Sequence, residues 1–245
     1  ATGGPSGFGT PAHAVSALPG HVRGVLFDKD GTLVDFDRTW SKTMKIGALG
    51  FADGDAAIAV KLCEAVGWDE VHGTFAAAAF FANNPNAAIA RRWRDLRGLP
   101  FAEADAARLD RLFAQAILAS VTPLGDLAGT VAQLRARGLV LGVATNDSCA
   151  SALDQLSALG VAHAFAFVTG YDGPSAPKPD PAAVLDFARV AGIAPSEVAV
   201  VGDSLNDLRL ARAGGAYAIA VARDPRHRAA LAPFADIAVA GIEAL

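Results

Sequence analysis

The chain has 245 residues, 52% hydrophobic and 7% aromatic, which suits one large domain or two small ones with a substantial core. Its 21 Lys+Arg against 25 Asp+Glu leave a net charge of −4, a mild balance that speaks against nucleic acid as the partner. Cys63 and Cys149 are the only cysteines; they match no zinc or C-x-x-C spacing and read as free thiols of a reducing, cytoplasmic compartment, and the apolar run 216–222 is far too short to cross a bilayer.

Residues 1–20 are rich in Gly, Pro, Ser and Ala and lack the basic start and long apolar centre of a secretory signal, so they are expected to be a flexible tail outside the fold. Residues 22–27 read as a strand. Residues 36–120 carry almost no strand signal; they are Ala-rich, have helical apolar spacing, and break at Gly50, Asp53-Gly54, Gly67, Asn83-Asn84-Pro85 and Gly98-Leu99-Pro100. Four or five helices are expected there. Eighty-five residues are too many for one crossover, which predicts an inserted all-helical domain. After Pro123 helices and apolar runs alternate: helix 124–137, strand 139–144, helix 149–159, strand 164–168, helix 181–191, strand 198–201, helix 205–213, strand 216–221 and an edge strand 237–239. Continuous apolar strands separated by helices predict an α/β fold, a Rossmann-like parallel sheet with helices on both faces. The expected division is a core of residues 21–35 and 121–245 and an insert of residues 36–120.

In such a sheet, ligands bind beyond the carboxyl ends of the strands. Three of these ends carry unusual polar residues. The first is Asp28-Lys29-Asp30-Gly31-Thr32, with two carboxylates at i and i+2, which an extended chain points to one side. Two such charges need a cation, a proton or both. Asp28, one residue past the strand, suits a carboxylate nucleophile for phosphoryl transfer. Asp30 can then protonate the leaving oxygen and deprotonate the attacking water. Gly31 and Thr32 are expected to present backbone N–H groups to phosphate oxygens. At the second end, Thr145 and Asn146 offer a hydroxyl and an amide to the same phosphate, with helix capping by Asn146, Asp147 or Ser148 the equal alternative. At the third, Gly202-Asp203-Ser204 adds a carboxylate, while Ser204 and Asp207 fit a capping box. Clustered carboxylates with a phosphate substrate point to Mg2+. Lys178, the only lysine after Lys61, sits in the stiff segment Pro177-Lys178-Pro179, where its ammonium can offset nucleophile and phosphate charge.

Taken in order, Asp28-Lys29-Asp30-Gly31-Thr32, Thr145-Asn146, Lys178-Pro179 and Gly202-Asp203-Ser204 with Asp207 resemble the four motifs of the haloacid dehalogenase-like hydrolase superfamily, over about residues 22–223. The resemblance implies a Rossmann-like core with a helical cap at about residues 36–120, Asp28 as nucleophile, Asp30 as acid/base, and Thr145 and Lys178 on the phosphoryl group. It implies Mg2+ held by the Asp28 carboxylate, the Asp30 backbone carbonyl and Asp203, with Asp207 in support. The presence of Asp30 argues against the dehalogenase branch and against phosphonate hydrolases. The cap placement and the Gly-Asp-Ser-x-Asn-Asp run look most like phosphoglycolate phosphatases. Lys29 departs from the apolar residue many members carry there; alternation points it away from the aspartates.

The expected function is therefore Mg2+-dependent hydrolysis of a small phosphorylated metabolite by a cytoplasmic monomer or homodimer, without nucleic acid or membrane partners. The rivals are a sugar phosphomutase of the β-phosphoglucomutase type and a non-catalytic binding module on the same fold. Substrate choice is expected from the cap, with Asp35, Arg38 and Trp40 near the hinge and Arg91, Arg92 and Arg94 on a helix. An arginine there can grip a carboxylate, although each fits a solvated helix face more readily.

Overall fold

The computed structural model describes residues 17–69, 74–75, 80, 84 and 86–245. A six-stranded sheet forms the centre: β1 (Gly24–Phe27), β4 (Val140–Ala144), β5 (Phe167–Thr169), β6 (Val198–Gly202), β7 (Tyr217–Val221) and β8 (Ile237–Val239). The spatial order is β5-β4-β1-β6-β7-β8, and every neighbouring pair is parallel. The chain builds outward from β1 to β5 and then crosses back to β6 on the other side. The loops after β4 and β6 therefore part on either side of β1, which opens a crevice at the carboxyl edge of the sheet.

The strands alternate between two apolar layers. Val25, Phe27, Leu141, Val143, Ala199 and Val201 face a core shared with Leu127, Val131 and Leu134 of α5 (Leu127–Ala136) and Leu156 of α6 (Cys149–Ala158). Leu26, Val198, Val200, Ala218 and Ala220 face the opposite core, shared with Val184 and Phe187 of α7 (Ala182–Ala191) and Leu208 and Leu210 of α8 (Leu205–Gly214). Burial on both faces explains why these strands read as unbroken apolar runs. A short α9 (Pro225–Leu231), capped by Asp224, joins β7 to β8. The expected tail lies outside the described residues except at its end. There Leu18 is buried in the first core and the Ala17 N–H donates to Ala244 O at 2.9 Å, so the ordered core starts before residue 21.

Between β1 and α5 lie α1 (Phe36–Phe51), α2 (Ala56–Ala65), α3 (Asn86–Leu96) and α4 (Glu103–Ser120). Asp35 and Asp55 cap the first two, each accepting backbone N–H groups of the first turn. These helices bury a third apolar cluster, including Met44, Phe51, Leu62, Trp93, Leu109 and Phe113, that draws on no strand of the large sheet. Trp93 Nε1 donates to Leu62 O at 2.7 Å, which satisfies the one polar atom of that ring. An element not foreseen from sequence interrupts the helices: β2 (Trp68–Asp69) pairs antiparallel with β3 (Thr74–Phe75). Two residues per strand are too few to show a period. The expected break at Asn83-Asn84-Pro85 falls, apart from Asn84, outside the described residues. The chain leaves and re-enters through adjacent segments, where the Asp35 N–H donates to Thr122 O and the Leu124 N–H to Leu33 O, both at 2.9 Å. No described helix is long and apolar enough to cross a membrane.

Phe187 packs tightly against the strands in the second core. A β-carbon at Gly142 would fall 2.8 Å from its ring. Gly142→Val should therefore destabilise the protein by about 1–3 kcal/mol through overpacking. Denaturant titration measures this, and an unchanged midpoint would contradict the packing described.

Candidate active site

The strand ends bring the predicted polar residues together. The Asp28 N–H donates to Val201 O at 2.8 Å, so sheet pairing continues past β1 and fixes the Asp28 backbone. Asp203 follows β6 directly, and Asp207 is in the first turn of α8. Carboxylate oxygens of Asp28, Asp203 and Asp207 all lie within 4.8 Å of one another. Lys178, in the loop after β5, donates through Nζ to Asp28 Oδ1 at 2.5 Å and to Asp207 Oδ1 at 2.6 Å, and all three side chains are nearly closed to solvent. Asn146 Oδ1 accepts the Lys178 backbone N–H at 3.2 Å, which ties the lysine loop to the end of β4.

Charge is unevenly supplied here. Burial pushes the Asp28 carboxyl up to about 8; Lys178 opposes the rise and Asp207 and Asp203 reinforce it. Burial also raises Asp203 to about 7, with Asp207 adding to the shift and Lys178 opposing it. For Lys178, burial works against the charge, but Asp28 and Asp207 outweigh it and hold the ammonium above its ordinary range. One lysine thus serves three carboxylates. Asp28 Oδ2 is buried with no hydrogen-bond partner among the described residues. An orphaned, buried carboxylate oxygen beside Asp203 has the chemistry of a hard-cation ligand, so the residues fit Mg2+. Asp207 stands differently. Its Oδ1 is taken by Lys178, and its Oδ2 accepts from Ser204 N at 3.1 Å and Ser204 Oγ at 2.6 Å. The capping box and the site role thus coexist in one side chain.

At the second end, Ser148 takes the capping role by accepting the Ser151 N–H at 3.2 Å. Thr145 and Asn146 remain for the site. Thr145 is buried and its Oγ1 accepts the Asp147 N–H at 3.1 Å, which leaves the hydroxyl proton to donate. Asn146, with its oxygen occupied, has its amide N–H groups to offer.

Two expectations need correction. The N–H groups of Gly31 and Thr32 turn inward, to Val34 O at 2.8 Å and Lys29 O at 3.4 Å, so in this geometry they are not presented to an anion. The tight turn causes this, since Leu33 and Val34 also donate to Lys29 O. Gly31 instead supplies space. Its φ is +87°, and a β-carbon there would fall 2.0 Å from Asp203 Oδ2. Thr32 is fully buried with its Oγ1 unpartnered among the described residues. Lys29, expected to point away from the aspartates, reaches Asp30 instead. The backbone turns at residue 29, and the long side chain places Nζ 2.7 Å from Asp30 Oδ2 and 3.2 Å from Asp147 Oδ2. It also donates to Gln155 Oε1 at 3.0 Å. Lys29 is fully buried, and its three acceptors match the three N–H bonds of an ammonium. Ser151 and Gln155 were not singled out from sequence, and Asp147 was read only as a helix cap. A lone lysine in an apolar strand exit was the only signal of a buried partner set.

A cleft of about 410 Å3 opens over these residues, lined by Asp28, Asp30, Thr145 and Lys178 on one side and by Phe36 and Trp40 of α1 on the other. Asp35 caps α1, with the exposed Arg38 beside it at 3.6 Å. Arg91, Arg92 and Arg94 do not line this cleft. Arg91 lies over the Phe101 ring, Arg92 over Phe80, and Arg94 pairs with Asp105 at 3.0 Å.

The profile of the haloacid dehalogenase-like hydrolases matches residues 22–215. A phosphoglycolate phosphatase of Shigella dysenteriae is 31% identical over 216 residues, 79% of each chain. One from Pectobacterium atrosepticum is 28% identical over 204 residues, 81% of this chain and 79% of the relative. The crystal structure of a HAD-superfamily hydrolase, subfamily IA, from Geobacter sulfurreducens superimposes with a TM-score of 0.59 at 20% identity, covering 93% of this chain and 96% of the other. The matched span takes in all four motif regions, and the sheet order with its crevice at β1 is the arrangement they require: the chain belongs to the haloacid dehalogenase-like hydrolase family.

Proposed function

We propose that this hydrolase is a Mg2+-dependent phosphatase of a small phosphate monoester, of which 2-phosphoglycolate is the type, working through an aspartyl-phosphate on Asp28. The observation that carries the reading is the asymmetry of the buried Asp28 carboxylate: Oδ1 is gripped by Lys178, and Oδ2 has no hydrogen-bond partner among the described residues, in a cluster with Asp203. The names of the relatives support phosphate-ester chemistry.

Asp28 attacks the phosphorus, and the ester P–O bond breaks with its electron pair going to the leaving oxygen. Asp30 gives that oxygen its proton. Water then attacks the aspartyl-phosphate, Asp30 takes a proton from it, and the bond to Asp28 breaks to restore the carboxylate. Acid/base help of this kind is worth roughly 100- to 10,000-fold. Thr145 and Asn146 donate to phosphoryl oxygens from the end of β4, and Lys178 offsets charge as it builds on them. Asp28, Asp203 and the Asp30 backbone carbonyl would hold Mg2+, with Asp207 holding Lys178 and the α8 turn in place behind them. When bound, the ion neutralises charge shared between nucleophile and phosphoryl group. The helices of residues 36–120 act as a cap over a core of residues 21–35 and 121–245. Phe36 and Trp40 cover the substrate, and closure over the paired segments at residues 33–35 and 122–124 excludes water. Cys63 and Cys149 form no disulfide with one another, which fits a reducing, cytoplasmic setting. A monomer or homodimer suffices for this chemistry.

Phosphate release should be measured on 2-phosphoglycolate, hexose phosphates, nucleotides and p-nitrophenyl phosphate, with Mg2+ and with EDTA. The expected outcome is release that needs Mg2+ and prefers a small ester. Interconversion of hexose phosphates through a bisphosphate, without net release, would establish a phosphomutase instead. Asp28→Asn should cut turnover by more than about a thousandfold while the circular dichroism spectrum stays unchanged. Substantial remaining turnover would show that the nucleophile is another residue.

A further inference from the structure

Most buried charge in this protein serves the Asp28–Lys178–Asp207 cluster, but Lys29 does not touch it. Its ammonium lies behind the site with Asp30 Oδ2, Asp147 Oδ2 and Gln155 Oε1 as acceptors. Those acceptors are themselves fixed. Ser151 Oγ donates to Asp147 Oδ2 at 2.8 Å, Gln155 Nε2 donates to the same oxygen at 3.1 Å, and Gln155 Nε2 also reaches Ser151 Oγ at 2.9 Å. Ser151 and Gln155 stand one turn apart on α6, a helix packed into the first core. The clamp on Asp30 is therefore anchored to the body of the fold rather than to a loop. It holds only one oxygen: Asp30 Oδ1 is buried and has no hydrogen-bond partner among the described residues, while Asp30 itself lines the cleft.

We propose that Lys29 is a positioning residue, which holds Asp30 by Oδ2 and so commits Oδ1 to the proton transfers of the reaction. The proposal rests on the reading of Asp30 as the acid/base. A buried ammonium is costly unless its partners are fixed, and that same fixity confines the Asp30 carboxylate to one rotamer. With an apolar side chain at position 29, Asp30 and Asp147 would repel one another without a cation between them, and Asp30 would leave the position from which Oδ1 meets the ester oxygen. Lys29 acts through Asp30 and touches neither substrate nor nucleophile.

The consequence is a dependence on the leaving group. An alkyl ester such as 2-phosphoglycolate needs a proton on its departing oxygen as the P–O bond breaks, and p-nitrophenyl phosphate does not. kcat/KM reports the steps up to phosphoryl transfer to Asp28, so the ratio of kcat/KM for the two esters reads the acid step alone. In Lys29→Met this ratio, alkyl over aryl, is expected to fall about 30-fold or more, within the range of general acid catalysis. Asp30→Asn should shift it in the same direction, and adding Lys29→Met to Asp30→Asn should shift it little further, because the two act as one unit. If Lys29→Met fails to fold, as judged by circular dichroism and Tm, Lys29→Met/Asp147→Asn keeps the net charge of the buried group and is measured in its place, with the same fall expected. Equal losses on both esters, or additive losses in the Asp30 background, would overturn the role of Lys29 alone. An unchanged ratio in Asp30→Asn, or a wild-type protein inactive on both esters, would overturn the acid/base reading and the proposal with it.

Discussion

Too many carboxylates converge on the carboxyl end of one strand. Asp28 and Asp30 follow β1, Asp203 and Asp207 follow β6, and Asp147 follows β4. Packed together without cations they would repel and take on protons. Two buried lysines, out of five in the chain, divide the group between them. Lys178 enters from the loop after β5 and joins Asp28 to Asp207; Lys29 enters from the bend just after β1 and joins Asp30 to Asp147. Asp28 and Asp30, the proposed nucleophile and acid/base, are thereby kept in separate charge environments although only one residue lies between them. Each keeps one oxygen without a hydrogen-bond partner among the described residues, Asp28 Oδ2 and Asp30 Oδ1. On the proposed reading the first belongs to the Mg2+ site and the second to the proton transfers.

The fold supplies this arrangement through the crossing at β1. The β4 and β6 loops flank the strand, and its backbone is tied on both sides, by pairing with β4 and with β6. The rigid sheet edge suits groups that must hold geometry to fractions of an ångström, whereas the helical insert suits the moving part. It has its own apolar core, enters and leaves by two adjacent segments, and contributes Phe36 and Trp40 to the cleft. On the proposed reading, chemistry is fixed by the sheet edge and access is governed by the insert.

The sequence was most legible where structure is local or doubly buried. Apolar runs placed β4, β6 and β7 to within one or two residues, because strands covered on both faces carry no polar interruptions. Asp28 and Asp203 stood out because charged residues beside such runs are unusual, and Lys178 because it is the only lysine after Lys61 and sits between prolines. What stayed hidden depends on side-chain reach and turn geometry. Alternation sends Lys29 away from Asp30 only if the chain stays extended, and it turns there. Gly31 and Thr32 looked like anion donors, but their N–H groups close that same turn. Gln155 meets Lys29 across 126 residues of chain, a pairing that no spacing encodes. The Arg- and Ala-rich α9 buries little more than Leu231, so it shows no apolar stripe.

The central claim is that Asp28 carries the phosphoryl group. It is tested most directly by quenching the enzyme in acid during turnover of 2-phosphoglycolate with Mg2+ and sequencing its peptides by mass spectrometry. A single phosphoryl group on Asp28 is the predicted result. A phosphoryl group on another residue, or none at any point of a single turnover that releases phosphate, would contradict the account.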